Sequence, residues 1–149
     1  MNNLFSTIYE SVFGLWDSQY DLIFQVLFDN NGYTMFGLTF LLLPLLFFLA
    51  FYLLWQFPYA KIWHWFLWLV LASIVTGFIT SGIAYNEIFL SDVQELNNAI
   101  ATPSSGFEDY ANSLPLKYAL INGGLALAVG FVYSLVLKQF SKSQIHLPF

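Results

Sequence analysis

The groups in this chain that could do chemistry are few, and most are amides and hydroxyls. Cysteine is absent, which removes disulfides, thiolate metal sites and cysteine nucleophiles together. Two histidines remain, His64 and His146, far apart in sequence. An axial pair for a haem would need a second histidine at matching depth, so His64, beside Lys61 and a group of tryptophans, reads as an interfacial side chain. His146 belongs to a hydrophobic terminal peptide, 145–149, expected to be a loose end. Glu87, Asp92, Glu95, Glu108 and Asp109 supply carboxylates, but their spacing matches no calcium loop, and a solvated acidic face is the expectation. The chain has no phosphate-binding loop, nucleophile elbow, metal-binding helix motif or basic nucleic-acid patch. Accordingly no catalytic residue, cofactor or metal ligand is assigned, and the chain reads as non-enzymatic.

The remaining polar groups of interest lie inside apolar stretches. Asn122 is the most polar of them. A primary amide in hydrocarbon needs a partner, and Thr80 or Ser81 is the one expected, which gives Asn122 a helix-fastening role. Ser73, Thr76, Thr80 and Ser81 could line a narrow pore if several copies assembled. Hydroxyls of this kind ordinarily bond the carbonyls of their own helix and permit close approach. No ionisable group stands in the middle of an apolar stretch, so the usual flag of an ion or proton pathway is missing.

Three apolar stretches must position these groups: 33–55, 62–84 and 117–137, the last free of charge from Tyr118 on. Each is long enough to cross a hydrocarbon core of ~30 Å at 1.5 Å per residue. The sequence, 58% hydrophobic and 9% charged over 149 residues, therefore predicts one all-α integral membrane protein with three transmembrane helices. The first stretch is Leu- and Phe-rich all round, with a bend expected at Pro44, and reads as the most lipid-exposed of the three. Trp55, Tyr59, Trp63 and Trp65 mark a membrane interface, where indole and phenol rings keep one end wet.

Small residues form two faces. Ser73, Gly77 and Ser81 are spaced by four on the second stretch, with Thr76 and Thr80 beside them. On the third, Ala119, Gly123, Ala126, Gly130 and Ser134 step by four, three, four and four. Both patterns bring backbones close. The two stretches are expected to cross through Gly77, Thr80, Ser81, Ala119 and Gly123; equally physical is a stripe that serves another subunit.

Charge sets orientation. All nine carboxylates precede the first stretch or lie between the second and third, whereas Lys61, Lys138 and Lys142 lie on the other side. Short basic loops stay in the cytoplasm, so the amino terminus is expected outside and the carboxyl terminus inside. The amino terminus has no basic region of a cleaved signal, and the first span is expected to act as its own insertion signal. Residues 1–29 read as an outer amphipathic interfacial helix, with Phe5, Ile8, Tyr9, Val12, Phe13, Trp16, Ile23 and Leu27 on one face. The turn 29–32 leads into the first span. Residues 85–116 form an acidic extracytoplasmic loop with a helix over 87–101, either continuous with the second span or broken near Ser91. Ser113 followed by Pro115 marks the start of the third span. Residues 138–149 are a cytoplasmic tail.

These readings point to a structural or anchoring subunit of a multi-protein membrane complex. Its expected partners are membrane lipid, other membrane subunits or copies of itself, and an extracytoplasmic protein on the acidic face; nucleic acid is not among them. The alternative is a self-oligomerising pore: three spans with an outer amino terminus and an inner carboxyl terminus resemble the topology of one group of phage holins, from which the long acidic amino-terminal helix and sparse basic tail depart. A small transporter subunit is the third reading, weakened by the lack of an internal repeat. The expected location is a bacterial inner membrane or an organellar one.

Overall fold

The structure is a computed structural model; it describes residues 1–54, 62–102 and 105–140. The described residues are helical, without a strand. Six α-helices follow in order: α1 (Asn2–Thr7), α2 (Asp21–Asp29), α3 (Gly32–Leu54), α4 (Ile62–Phe89), α5 (Gln94–Ala101) and α6 (Phe107–Lys138). Of these α3, α4 and α6 are long and apolar enough to cross a membrane, consistent with a multi-pass membrane protein. They form a bundle in which α4 and α6 pack most extensively and α3 lies against both.

The amino-terminal region is not one helix. After α1 the backbone widens into a single π turn, Ile8–Val12, closed by the Phe13 N–H bonding to the Ile8 carbonyl at 3.0 Å. Gly14, at φ +64°, reverses the chain, a conformation open to glycine because it has no Cβ. Asp17 then caps a short 3-10 turn, its carboxylate accepting from the Gln19 N–H at 3.0 Å. The apolar periodicity was read as one helix over 1–29, but the folded chain bends at Gly14 so that Tyr9 and Ile23 reach the same cluster from two directions. Asn31, at φ +59°, links α2 to α3.

The acidic loop also differs in detail. Helix α4 runs on past residue 84 to Phe89, burying Ala84 and Ile88, and breaks at residues 90–93 before α5. An Asn97 amide donating to the Ser91 carbonyl at 3.0 Å holds that break. Helix α6 starts at Phe107, well before Pro115, which lies inside it. Gly106 at φ +73° opens the helix, and Glu108 and Asp109 in its first turn suit the positive end of the dipole. Ser113 Oγ donates to the Tyr110 carbonyl at 2.7 Å, so it bonds back into the helix and does not cap it. What extends α6 is packing: Tyr110 stacks on Tyr20 with centroids 4.1 Å apart, and Ala111 and Leu114 are fully buried.

Two cores result. The larger joins Phe5, Tyr9, Ile23, Leu27, Tyr33, Phe36, Ile88, Leu96, Leu114 and Tyr118 at the end of the bundle where every carboxylate-bearing element gathers. The smaller joins Phe48, Phe51, Tyr52, Trp65 and Leu69 at the opposite end. Over its most apolar stretch α3 is 39% buried, against 28% for α4 and 22% for α6. That corrects the expectation that α3 faces lipid most. Its phenylalanines fill the gaps that the small residues of its neighbours leave open.

Candidate functional site

The small-residue stripes meet inside the bundle. A Cβ on Gly77 would lie 3.1 Å from the Ala119 carbonyl oxygen, and one on Gly123 would lie 3.3 Å from Ser73 Oγ. Ser73 Oγ donates to the Gly123 carbonyl at 2.8 Å. The approach of α4 and α6 is thus close enough for a side-chain hydroxyl to bond the opposite backbone, which small residues permit. Ala126 is fully buried. Farther down α6, a Cβ on Gly130 would meet Leu69 and Phe48 at 3.0 Å. Ser134, also fully buried, accepts the Trp65 indole N–H at 2.6 Å and shares a hydrogen bond of 2.8 Å with the Tyr52 hydroxyl. The lower half of the α6 stripe is therefore filled by aromatic rings of this same chain.

Asn122 ties four segments together. Its amide nitrogen donates to Thr80 Oγ1 at 2.8 Å and to the Phe36 carbonyl at 3.0 Å, and its amide oxygen accepts from the Tyr9 hydroxyl. All three partners are buried, and hydrogen bonds between helices hold such an amide in apolar surroundings. Sequence reasoning missed two of these partners, the Phe36 carbonyl and Tyr9, the latter arriving from outside the three long helices. Its ring stacks on Tyr33 at 5.9 Å and meets Tyr118 edge-on at 5.5 Å. Burial holds its phenol well above the ordinary value of 10.0, the bond to Asn122 acting in the opposite direction, so Tyr9 remains a donor. The buried hydroxyls of Tyr33 and Tyr118 lie in the same cluster without a well-formed hydrogen bond. The only sequence signal for this arrangement was the apolar periodicity that placed Tyr9 on an inward face.

The other hydroxyls are used locally. Thr76 Oγ1 donates to the Ala72 carbonyl at 2.7 Å and Thr80 Oγ1 to the Thr76 carbonyl at 2.8 Å, and both threonines are fully buried. Ser81 is half-buried at the edge of an open groove between α4 and α6. That groove, about 520 Å³, is floored by Ser73, Gly77, Gly123 and Gly124 and walled by Phe78 and Leu120. Nothing lies within 4 Å of a Cβ built on Gly124 or on Gly82.

The interfacial aromatics divide. Trp63 is 64% exposed and stacks on Phe66. Trp65 is 7% exposed and turns into the bundle. Residues two positions apart on a helix are rotated by about 200°, so the two rings cannot share a face, and a buried indole finds an acceptor, here Ser134. Trp65 thus packs within the bundle, whereas Trp63 faces outward. Trp55, Tyr59, Lys61, Lys142 and His146 lie outside the described residues. Lys138 ends α6 at the pole opposite the carboxylates, and Lys117 near the acidic pole sets its ammonium 4.9 Å from the Tyr110 ring centroid. Among the described residues no three His, Asp or Glu side chains converge on a metal position.

No family model, curated protein or solved structure matches this chain.

Proposed function

We propose that this protein is a non-enzymatic anchoring subunit of a membrane assembly, docking a partner's helix in the groove between α4 and α6. The groove carries the reading: it is open and apolar, with exposed Gly124 beside the buried Gly77 and Gly123 of the α4–α6 seam, and an open glycine lets a second helix approach closely. Asn122, Thr80 and Ser134 are meanwhile hydrogen-bonded inside the bundle. The orientation that accompanies this reading has the acidic pole outside and Lys138 inside, with a bacterial inner membrane or an organellar one as the location. The acidic pole then faces an extracytoplasmic partner of basic character.

The geometry favours this reading over a self-assembled pore, because Thr76 and Thr80, two of the hydroxyls that would line such a pore, are buried against their own helix. The test is affinity purification of the tagged chain from its native membrane, beside Gly124→Leu and Phe78→Ala variants. Both changes alter the groove without touching a buried residue. Partner subunits that co-purify with the wild type and are lost from both variants support the reading. Unchanged co-purification, or collapse of membrane potential when the chain is expressed alone, refutes it.

A further inference from the structure

We propose that residues 1–16 form a re-entrant element, which dips from the acidic pole into the adjacent leaflet and lays an apolar face against the lipid acyl chains. The inference rests on the membrane-spanning reading of α3, α4 and α6 and adds a fourth membrane-embedded segment to it.

The path of the segment gives its depth. Asn2 holds the entry, accepting from the Thr34 N–H at 3.1 Å and donating to the Phe28 carbonyl at 2.6 Å. Phe5 then lies directly over Gly37, so closely that a Cβ there would clash with its ring carbons, and stands edge-on to Phe40 at 6.0 Å. Tyr9 reaches Asn122. Phe13 shares a cleft with Leu120, Ile121, Gly124 and Leu125. The exit is fixed by the Tyr110 hydroxyl donating to the Leu15 carbonyl at 2.6 Å. Gly124 stands seven residues beyond Lys117, the last charged residue before Lys138, which places Phe13 ~10 Å along the helix axis into the uncharged stretch.

The segment exposes apolar side chains alongside the polar Asn3, Thr7 and Ser11. Leu4 is 62% exposed and Val12 72%, with Met1 and Phe13 also outward. They continue the surface formed by exposed Leu116 and Leu120 on α6, the surface a spanning helix turns to lipid. Apart from Gly124 at its border with the α4–α6 groove, this face is bulky and suits acyl chains. Non-helical backbone at such depth must satisfy its own hydrogen bonds. Two of its groups are satisfied here, the Phe13 N–H by the Ile8 carbonyl at 3.0 Å and the Leu15 N–H by the Tyr9 carbonyl at 3.2 Å. Glu10 is half-buried: it lines an open cleft of about 190 Å³ with Trp16, Asp21, Gln25 and Asp29 and lies close to the Tyr33 hydroxyl.

Because the chain has no cysteine, single-cysteine labelling tests this directly. Leu4→Cys, Phe13→Cys, Leu46→Cys and Asp92→Cys variants, each carrying an environment-sensitive fluorophore, are reconstituted in phosphatidylcholine–phosphatidylglycerol vesicles. The expected result is quenching by acyl-chain nitroxide lipids at positions 4 and 13 comparable to that at 46 and several-fold above that at 92, with aqueous iodide giving the reverse order. Iodide quenching at 4 and 13 equal to that at 92, with 46 still lipid-quenched, overturns the re-entrant element and leaves the spans standing. Protection of 4 and 13 from both quenchers also overturns it, since protein then covers the face. Absence of lipid quenching at 46 removes the spanning reading and this inference together.

Discussion

Gly123 and Gly124 are neighbours in sequence with opposite surroundings, so replacing them one at a time separates packing within the chain from packing onto a partner. A Cβ at 123 would lie 3.3 Å from Ser73 Oγ and 3.5 Å from the Ser73 carbonyl oxygen, against two atoms of one α4 turn. Gly123→Ala therefore makes the Ser73 side chain give by a few tenths of an ångström, an overpacking cost of about 1–3 kcal/mol, and weakens the Ser73 to Gly123 hydrogen bond, worth about 0.5–1.5 kcal/mol. The gain in helix propensity, about 1 kcal/mol, offsets part of this. The net expectation is a loss of about 1–3 kcal/mol. At Gly124 a Cβ meets nothing within 4 Å, so Gly124→Ala keeps only the propensity gain and leaves stability unchanged or raises it by up to about 1 kcal/mol. Reversible unfolding in mixed micelles, followed through tryptophan fluorescence, measures both. Equal destabilisation by the two alanines, or a stabilising Gly123→Ala, would refute the assignment of Gly123 to the α4–α6 seam and of Gly124 to the open groove.

Three further outcomes follow from the same contacts. Asn122→Leu should destabilise the bundle by about 2–4 kcal/mol, since it strands the Thr80, Phe36 and Tyr9 partners, while Tyr9→Phe should cost about 1 kcal/mol; a double-mutant cycle showing no coupling between them would contradict the shared hydrogen bond. Ser134→Ala removes the acceptor common to Tyr52 and Trp65 and is expected to cost about 1–2 kcal/mol and change the near-ultraviolet dichroism of the indole, whereas an unaltered spectrum would place Trp65 elsewhere. Because burial raises the Tyr9 phenol above 10.0 in the folded chain, its contribution is complete below pH 10 and is lost as pH rises toward the folded value. The wild type should accordingly lose more stability than Tyr9→Phe between pH 9 and pH 11, as read by unfolding midpoints at stepped pH, and parallel curves would count against burial of that phenol.

The helical content and the three long apolar stretches were legible because length and apolarity are local properties. Asn122 was legible as a residue needing a bond, and Thr80 as a neighbour at matching depth, because an amide in apolar surroundings has few ways to be satisfied. The phenylalanines of α3 were not legible in the same way. With apolar residues on every side, that helix has no periodicity to show which face is covered. Phe48 is buried because Gly130 leaves room for its ring, a fact that belongs to the pair. Trp65 went the same way: composition marks a tryptophan as interfacial or buried alike, and the position of Ser134 decides.

Sequence alone settled which segments are long and apolar enough to span, where charge is absent, and that thiol chemistry is impossible, since each follows from residue identity and spacing. Tertiary structure decided the rest. It divided the glycines into those consumed by the bundle and those left open, because a Cα hydrogen looks the same in sequence whatever stands opposite. It also folded residues 1–16 back at Gly14, so that Tyr9, distant in sequence from Asn122, supplies the hydrogen bond its amide oxygen needed.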